Sequence, residues 1–269
     1  MPQWSYLDRG SVRLALADFG GRGTPVLLLH GLAGHAEEWS DTSSWLAAEH
    51  HVFALDIRGH GRSERRPSDV STAALVEDVV ATTEHIGCPV ILGGQSLGGL
   101  ISILVAAAEP DLVQALVVVE ASPTAMDEQA AMTLAAEVKE KLSSWPTPFR
   151  SREAAIRFFG GPSVAATAWA AGLEERDDGL WPRFDVDVLV TMLEKVVRHD
   201  HWSEWDRIRC PALVVRGETG SLSVEDARAM EERLSQAQLV EIPGAGHDVH
   251  LDRPDEWRKG VSTFLRGLV

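Results

Sequence analysis

Cysteine is scarce in this sequence, which has two in 269 residues. Two cysteines are too few for a disulfide scaffold, and Cys88 and Cys210 lack the spacing of metal ligands. Each precedes a proline at the start of an apolar run, so we expect both to be buried thiols at strand starts. The sequence also lacks G-x-G-x-x-G, H-E-x-x-H and Cys-His clusters, and we therefore expect neither a metal nor an organic cofactor.

Positive charge and long apolar stretches are also scarce. Lys and Arg number 25 against 40 Asp and Glu, which gives a net charge of -15. An acidic chain repels phosphate backbones and anionic lipids, and no apolar stretch approaches the roughly 20 residues that a membrane span needs. The N-terminal residues do not resemble a signal peptide. We expect a soluble cytoplasmic protein with neither a nucleic acid nor a membrane as a partner.

The order of the apolar runs predicts an α/β fold. Hydrophobic residues make up 45% of the chain and charged residues 24%, which is typical of a globular protein. Short, nearly continuous apolar runs alternate with helical patterns, as in a parallel sheet covered on both faces. The predicted strands are 26–29, 52–55, 90–92, 115–119, 212–215 and 239–242, and the predicted helices are 36–48, 71–86, 97–109, 223–235 and 253–267. Residues 4–18 are predicted to form an antiparallel hairpin.

Residues 121–205, here called the inserted segment, interrupt this alternation. The interval between two predicted strands is far longer than an ordinary crossover, so we expect a helical cap between the two parts of a core, 1–120 and 206–269. Its predicted helices are 124–144, 151–159, 163–176 and 185–199. The segment holds five of the nine tryptophans, and we expect Trp145, Trp181 and Trp202 to contact an apolar substrate.

A candidate nucleophile lies at Gly94-Gln95-Ser96-Leu97-Gly98. This G-x-S-x-G pattern directly follows a predicted strand and directly precedes a predicted helix, which is the setting of a nucleophile elbow. There the serine is held in a strained turn, and the flanking glycines let strand and helix approach each other. The hydroxyl is then exposed at a helix N-terminus, where the helix dipole favours developing negative charge.

The whole chain resembles the α/β-hydrolase superfamily. The matching features, in the order of that family, are His30-Gly31, the loop from Asp56 to Ser63, the elbow at Ser96 and Gly244-Ala-Gly-His247. The resemblance implies a mostly parallel eight-stranded sheet with helices on both faces. It also implies an oxyanion hole formed by the backbone N–H groups of Leu32 and Leu97. We expect structural roles for His30, Asp56 and His60.

A serine hydroxyl needs a general base at neutral pH. His247 follows the last predicted strand, and a loop there can fold back over the elbow. His250, three residues later, is the competitor, but its place at the start of the final helix suggests packing or capping. We therefore expect His247 to be the base.

The acid of the triad departs from the common family pattern. In the superfamily it is commonly an Asp in the loop after the seventh strand, but Arg216 to Ser223 contains no Asp. Glu218 lies in that loop, and Asp226 is predicted in the first turn of the next helix. Glu120 ends an apolar strand, where an unpaired charge is costly. Zearalenone-type lactone hydrolases place their acid after this sixth strand. We favour Glu120, with Glu218 or another acid as the alternative.

These residues predict a serine hydrolase that cleaves a carboxylic ester or lactone of an apolar small molecule through an acyl-enzyme. The elbow and the base do not distinguish this reaction from C–C bond hydrolysis, lyase chemistry or cofactor-free peroxidation, because the fold hosts many reactions. A non-catalytic small-molecule receptor on the same scaffold is the remaining alternative.

Overall fold

The computed structural model describes residues 1–268. The strands are β1 (Gln3–Arg9), β2 (Val12–Gly21), β3 (Pro25–Leu29), β4 (His51–Asp56), β5 (Val90–Gln95), β6 (Val113–Val119), β7 (Leu173–Arg176), β8 (Gly179–Pro182), β9 (Ala212–Gly217) and β10 (Ala237–Ile242). Eight of them form one sheet in the order β1-β2-β4-β3-β5-β6-β9-β10. Only the β1–β2 and β2–β4 pairs are antiparallel, which confirms the predicted α/β-hydrolase sheet.

Helices connect the parallel strands and cover the sheet. They are α1 (Ser40–Leu46), α2 (Thr72–Ile86), α3 (Leu97–Ala108), α4 (Glu128–Ser143), α5 (Arg152–Phe158), α6 (Val164–Ala171), α7 (Val186–Val196), α8 (Trp202–Trp205), α9 (Val224–Arg233), α10 (Val249–Asp252) and α11 (Pro254–Arg266). Short 3-10 helices span Ala36–Trp39 and Pro110–Leu112. Among the described residues, no helix combines the length and the apolarity that a membrane crossing requires.

The sheet is covered on both faces, as the continuous apolar runs predict. One apolar cluster includes Leu27, Leu92 and Ile101. A second cluster includes Leu28, Trp39 and Trp257. Neighbouring residues of one strand therefore belong to opposite clusters, which is the period-2 geometry of a strand with two buried faces.

The six predicted strands all fall within observed strands, and the predicted N-terminal hairpin is β1 and β2. Cys88 corrects one expectation. It is exposed because it precedes β5 in the turn after α2 and does not enter the sheet, whereas Cys210 is buried as expected.

The inserted segment differs from its prediction in two places. The predicted helix 163–176 ends at Ala171, and Leu173–Arg176 forms strand β7, which pairs with β8 in an antiparallel hairpin. The helix α8 was also not predicted. The observed α4, α5 and α7 agree with the expected helices, while the division of the chain into core and cap domains stays a prediction.

Candidate active site

The candidate site lies where the parallel strands of the sheet end. Ser96 follows β5, Glu120 follows β6 and His247 lies in the loop after β10. Because these strands are parallel, their carboxyl ends meet at one edge of the sheet, which is where open α/β sheets bind ligands. The chain topology thus brings three distant parts of the sequence together.

The turn between β5 and α3 is strained at Ser96, which has φ 52° and ψ -116°. This conformation is unfavourable for a residue with a side chain. Hydrogen bonds on both sides hold it: the Ser96 N–H donates to Val119 O at 2.8 Å, and the Leu100 N–H donates to Ser96 O at 3.0 Å. A Cβ on Gly94 would lie 2.2 Å from Gly98 O, so the elbow requires glycine at that close approach.

The two predicted oxyanion donors belong to segments that border Ser96. Leu97 is the first residue of α3, and the N–H groups in the first turn of a helix have no partner within the helix. Leu32 belongs to the loop after β3. A Cβ on Gly31, the preceding residue, would lie 3.4 Å from the Cβ of Ser96, so this loop packs directly against the elbow.

His247 is held beside the elbow by Gln95, whose Nε2 donates to His247 O at 3.0 Å. Its Nδ1 lies 3.3 Å from Oε2 of Glu120. Among the described residues, Ser96 Oγ and the imidazole of His247 form no hydrogen bond. Such bonds are often long before a substrate binds.

Glu120 is 2% exposed and has φ 51°. Its Oε1 accepts the Gly217 N–H at 2.7 Å, and its Oε2 accepts the N–H groups of Ser221 at 2.5 Å and Leu222 at 3.1 Å. Burial raises the pKa of Glu120, but the hydrogen bonds from His247, Gly217 and Leu222 outweigh it and hold that pKa below its ordinary value. The carboxylate is therefore charged at neutral pH and directed at the imidazole.

Sequence reasoning missed Ser221. Its Oγ lies 2.8 Å from His247 Nδ1 and 3.2 Å from Glu120 Oε2. A hydroxyl can accept one proton and donate its own, so Ser221 can accept the Nδ1–H while donating to the carboxylate. The available signal was its position in the loop after β9, where the family commonly places its acid.

The other candidate acids and the competing histidine lie elsewhere. Glu218 accepts the Gly244 N–H at 2.7 Å, and Asp226 accepts the hydroxyl of Ser122 at 2.7 Å. His250 is 1% exposed and stacks on Trp39, with ring centroids 4.1 Å apart. Within residues 1–268, none of these three side chains forms a hydrogen bond with His247.

The three polar residues with expected structural roles shape the surrounding loops. His30 accepts the Ile57 N–H at Nε2, so its Nδ1–H donates to Gly31 O at 2.7 Å. Asp56 accepts the Ala36 N–H at 2.6 Å. His60 Nδ1 lies 3.1 Å from Arg58 O. These contacts tie the loops after β3 and β4 to each other and to the start of the next helix.

A narrow cleft lies between the inserted segment and the loop after β3. Ala33 and Gly34 form one wall, next to Leu32. The other lining residues include His35 from the same loop, and Trp145, Trp169, Arg183 and Phe184 from the inserted segment. The loop that contacts Ser96 therefore also borders a partly aromatic cleft.

Of the three predicted substrate contacts, only Trp145 lines this cleft. Trp181 donates its Nε1–H to Asp178 at 2.7 Å. Trp202 donates its Nε1–H to the hydroxyl of Thr124 at 3.0 Å and packs against the apolar cluster that includes Leu27 and Ile101. Both indoles thus have partners outside the cleft. Trp169, which the sequence analysis did not select, lines the cleft instead.

Comparisons with known proteins agree with this architecture. A family model described as "Alpha/beta hydrolase family" matches residues 26–259. The chain is 30% identical to a pimeloyl-[acyl-carrier protein] methyl ester esterase of Chromobacterium violaceum, covering 91% of this chain and 95% of that protein. It is 26% identical to Esterase YbfF of Escherichia coli, covering 95% and 98%. The crystal structure of E-2-(acetamidomethylene)succinate hydrolase has a TM-score of 0.87 at 23% identity, covering 99% and 100%.

Proposed function

Because this chain belongs to the α/β-hydrolase family, we propose that it is a serine hydrolase that cleaves a carboxylic ester or lactone of an apolar small molecule. Its curated relatives include esterases, which supports a hydrolytic reaction. Ser96 is the nucleophile, His247 the general base and Glu120 the acid of the triad. The backbone N–H groups of Leu32 and Leu97 form the oxyanion hole.

The observation that carries the proposal is the strained turn at Ser96. A serine at φ 52° and ψ -116°, directly between a buried strand and a helix, is costly for folding alone. A strained turn that presents the hydroxyl above the sheet is the geometry required of a nucleophile elbow. The contact between Gln95 and the backbone of His247 adds support, because it keeps the proposed base beside this turn.

The proposed reaction has two steps. Ser96 Oγ attacks the ester carbonyl while His247 Nε2 takes its proton, and the alcohol then leaves with that proton. Water, deprotonated by His247, then attacks the acyl carbonyl. The bond between that carbonyl carbon and Ser96 Oγ breaks, His247 returns the proton to Oγ, and the acid is released. The negative charge of the tetrahedral intermediate lies near the first turn of α3, and the loss of one oxyanion donor costs on the order of 10²–10³ in rate.

The carboxylate of Glu120 acts on the imidazole in both steps. It holds the tautomer with a proton on Nδ1, which leaves Nε2 free to act as a base, and it stabilises the imidazolium that forms. Ser221 supports the same tautomer, since its hydroxyl can accept the Nδ1–H.

Covalent labelling tests this proposal. We expect a fluorophosphonate probe to label the wild-type protein at Ser96 and the protein to hydrolyse 4-nitrophenyl butyrate. Ser96→Ala should lose both signals with an unchanged circular dichroism spectrum. Ser235→Ala, a change at an exposed serine, is the matched control and should retain both.

The outcomes separate the alternatives. If the probe does not label Ser96, the proposal is wrong and a small-molecule receptor on this scaffold is favoured. If the probe labels Ser96 but neither 4-nitrophenyl esters nor lactones are cleaved, ester hydrolysis is wrong. In that case, analysis of the reaction products distinguishes C–C bond hydrolysis, lyase chemistry and cofactor-free peroxidation.

A further inference from the structure

Within residues 1–268, no group pairs with the guanidinium of Arg183. It lies between β8 and α7 and lines the cleft beside Gly34 and Phe184. Its side chain is partly buried, yet in the described part of the chain it forms neither a hydrogen bond nor an ion pair. A guanidinium has five N–H donors and keeps its charge in proteins, so an unpaired one in a cleft has an unused capacity to bind an anion.

The carboxylates near Arg183 do not supply that anion. Those close enough to act on its charge include Glu174, Asp56 and Glu37. Each is already engaged by other donors. The donors are Arg65 and Arg176 for Glu174, Arg62 for Glu37, and the backbone N–H groups of Ala36 and Arg62 for Asp56.

Other arginines also lie near this cleft, in a chain with a net charge of -15. Burial and repulsion from Arg62 lower the pKa of Arg183. Burial lowers the pKa of the neighbouring His35 to about 4, and repulsion from Arg183, Arg62 and Arg152 adds to this effect. His35 is therefore neutral at pH 7, and the positive charge in the cleft belongs to Arg183.

We propose that this cleft binds a carboxylate group on Arg183, so that the substrate is an apolar ester that carries one carboxylate. The inference rests on the proposed function for the identity of the reacting group. It refines the apolar substrate predicted from the sequence: the apolar part contacts the aromatic wall, and the anionic end pairs with the guanidinium.

The chemistry of the residues that line the cleft fits such a molecule. Trp145 packs edge-on against Trp169 and Phe184, with ring centroids 6.1 and 5.5 Å away, which gives one apolar wall. An arginine binds a carboxylate through two parallel N–H···O bonds, and charge-assisted bonds of this kind are roughly twice as strong as neutral ones. One cationic group in an otherwise mostly apolar cleft fixes the orientation of a ligand.

A binding experiment tests the cleft without relying on catalysis. The ligands are 3-phenylpropanoate and its neutral isostere 3-phenylpropanamide, titrated into the Ser96→Ala protein by calorimetry. We expect the carboxylate to bind more tightly by on the order of tenfold or more. Arg183→Gln should remove the difference between the ligands. Arg150→Gln, at an exposed arginine that does not line the cleft, is the control with the same charge change and should keep it.

A kinetic experiment tests the substrate preference. We expect wild-type kcat/KM for 4-nitrophenyl hemiglutarate to exceed that for its methyl ester. Arg183→Gln should lower the ratio of kcat/KM for the anionic ester to kcat/KM for the neutral ester about 10- to 100-fold. Arg183→Lys should lie between the two, because a lysine keeps the charge without the planar fork.

The two experiments distinguish failure of this proposal from failure of the proposed function. If the two phenylpropanoic ligands bind equally, or if their difference survives Arg183→Gln, the carboxylate site is refuted even where neutral esters are cleaved. If the difference depends on Arg183 but Ser96 is not labelled and neither ester is cleaved, the site stands as a carboxylate-binding cleft and the hydrolase assignment is wrong.

Discussion

Glu120 shows how a single charged residue is retained inside a core. Moving a carboxylate out of water costs several kcal/mol unless hydrogen bonds replace its hydration. Here the backbone N–H groups of Gly217, Ser221 and Leu222 replace that hydration. Two of these donors, Ser221 and Leu222, lie in the loop after β9. These hydrogen bonds stabilise the charged form of the Glu120 carboxylate. A charged carboxylate is what stabilises an adjacent imidazolium.

Substitution of Glu120 tests its role at the residue scale. Glu120→Gln keeps the shape but removes the charge and places an NH₂ group among donors. We expect kcat for 4-nitrophenyl butyrate to fall by on the order of 10³–10⁴, as it does when a triad acid is replaced by its amide. The matched control Glu218→Gln, which changes a carboxylate in the same loop region that does not contact His247, should keep kcat within about threefold.

Circular dichroism and thermal unfolding must accompany these measurements. If Glu120→Gln is folded and retains wild-type kcat while Glu218→Gln loses it, the assignment of the acid is reversed. If both variants retain kcat, neither residue is the acid.

At the scale of elements, the loop after β9 wraps tightly around the carboxylate of Glu120. A Cβ added to Gly220 would lie 2.2 Å from Glu120 Oε2, which is closer than atoms can approach. The loop therefore depends on glycine at this position to bring the Ser221 and Leu222 N–H groups to the carboxylate.

Gly220→Ala should move the loop away from Glu120. We expect a destabilisation of about 1–3 kcal/mol, typical of overpacking, together with a loss of esterase activity. Gly260→Ala in α11 is the matched control, because a Cβ there meets only Val240 Cγ1 at 3.5 Å. That change should stabilise the protein by roughly 0.5–1 kcal/mol. Urea unfolding and kcat measure both effects, and a Gly220→Ala protein as stable and active as the wild type would contradict the argument.

Local sequence patterns predicted the sheet because each buried strand is a nearly continuous apolar run. They failed at β7, where Leu173–Arg176 reads Leu-Glu-Glu-Arg and consists of good helix formers. The hairpin is held by tertiary pairing: the N–H groups of Phe149 and Leu180 each donate to the carbonyl of the other at 2.9 Å. Such a distant partner leaves no periodic signal in the strand itself.

The residues of the candidate site also divide into those that the sequence predicts and those that it does not. Ser96, His247 and Glu120 could be proposed from the sequence because each directly follows a strand or lies in the loop after one. Arg183 could not, and the sequence offered for Ser221 only its position in the loop after β9. Their importance comes from what they contact, or fail to contact, and the sequence does not specify which charged groups find partners.

At the scale of the whole molecule, the core around the site contains several buried titratable groups. Burial lowers the pKa of His60 and His250 to about 4 each and that of His30 well below its ordinary value, as it does for His35. Burial acts oppositely on carboxyls: it raises the pKa of Asp56 to about 6, and that of Glu38 also rises.

These shifts predict the pH dependence of stability. Between pH 6.5 and about 4 the unfolded chain protonates the four histidines while the folded chain does not, so stability falls as the pH falls. Asp56 works in the opposite direction, because between about pH 6 and 3.8 the folded chain protonates it while the unfolded chain largely does not. Glu38, whose pKa burial also raises, acts in the same sense as Asp56. Four groups outweigh two, so the unfolded state binds about two more protons near pH 5. This corresponds to on the order of 3 kcal/mol of unfolding free energy per pH unit.

We therefore expect the unfolding temperature to fall by several degrees from pH 6 to pH 5. His60→Gln isolates the cause, because an amide can still donate to Arg58 O but takes up no proton on unfolding. With three histidines against two carboxyls, the excess falls from about two protons to about one, so the slope of stability against pH should be roughly halved. Urea unfolding at pH 5, 5.5 and 6 measures the slope for both proteins. An equal slope in the variant would mean that the acid sensitivity arises elsewhere, whereas a halved slope would assign it to the buried histidines.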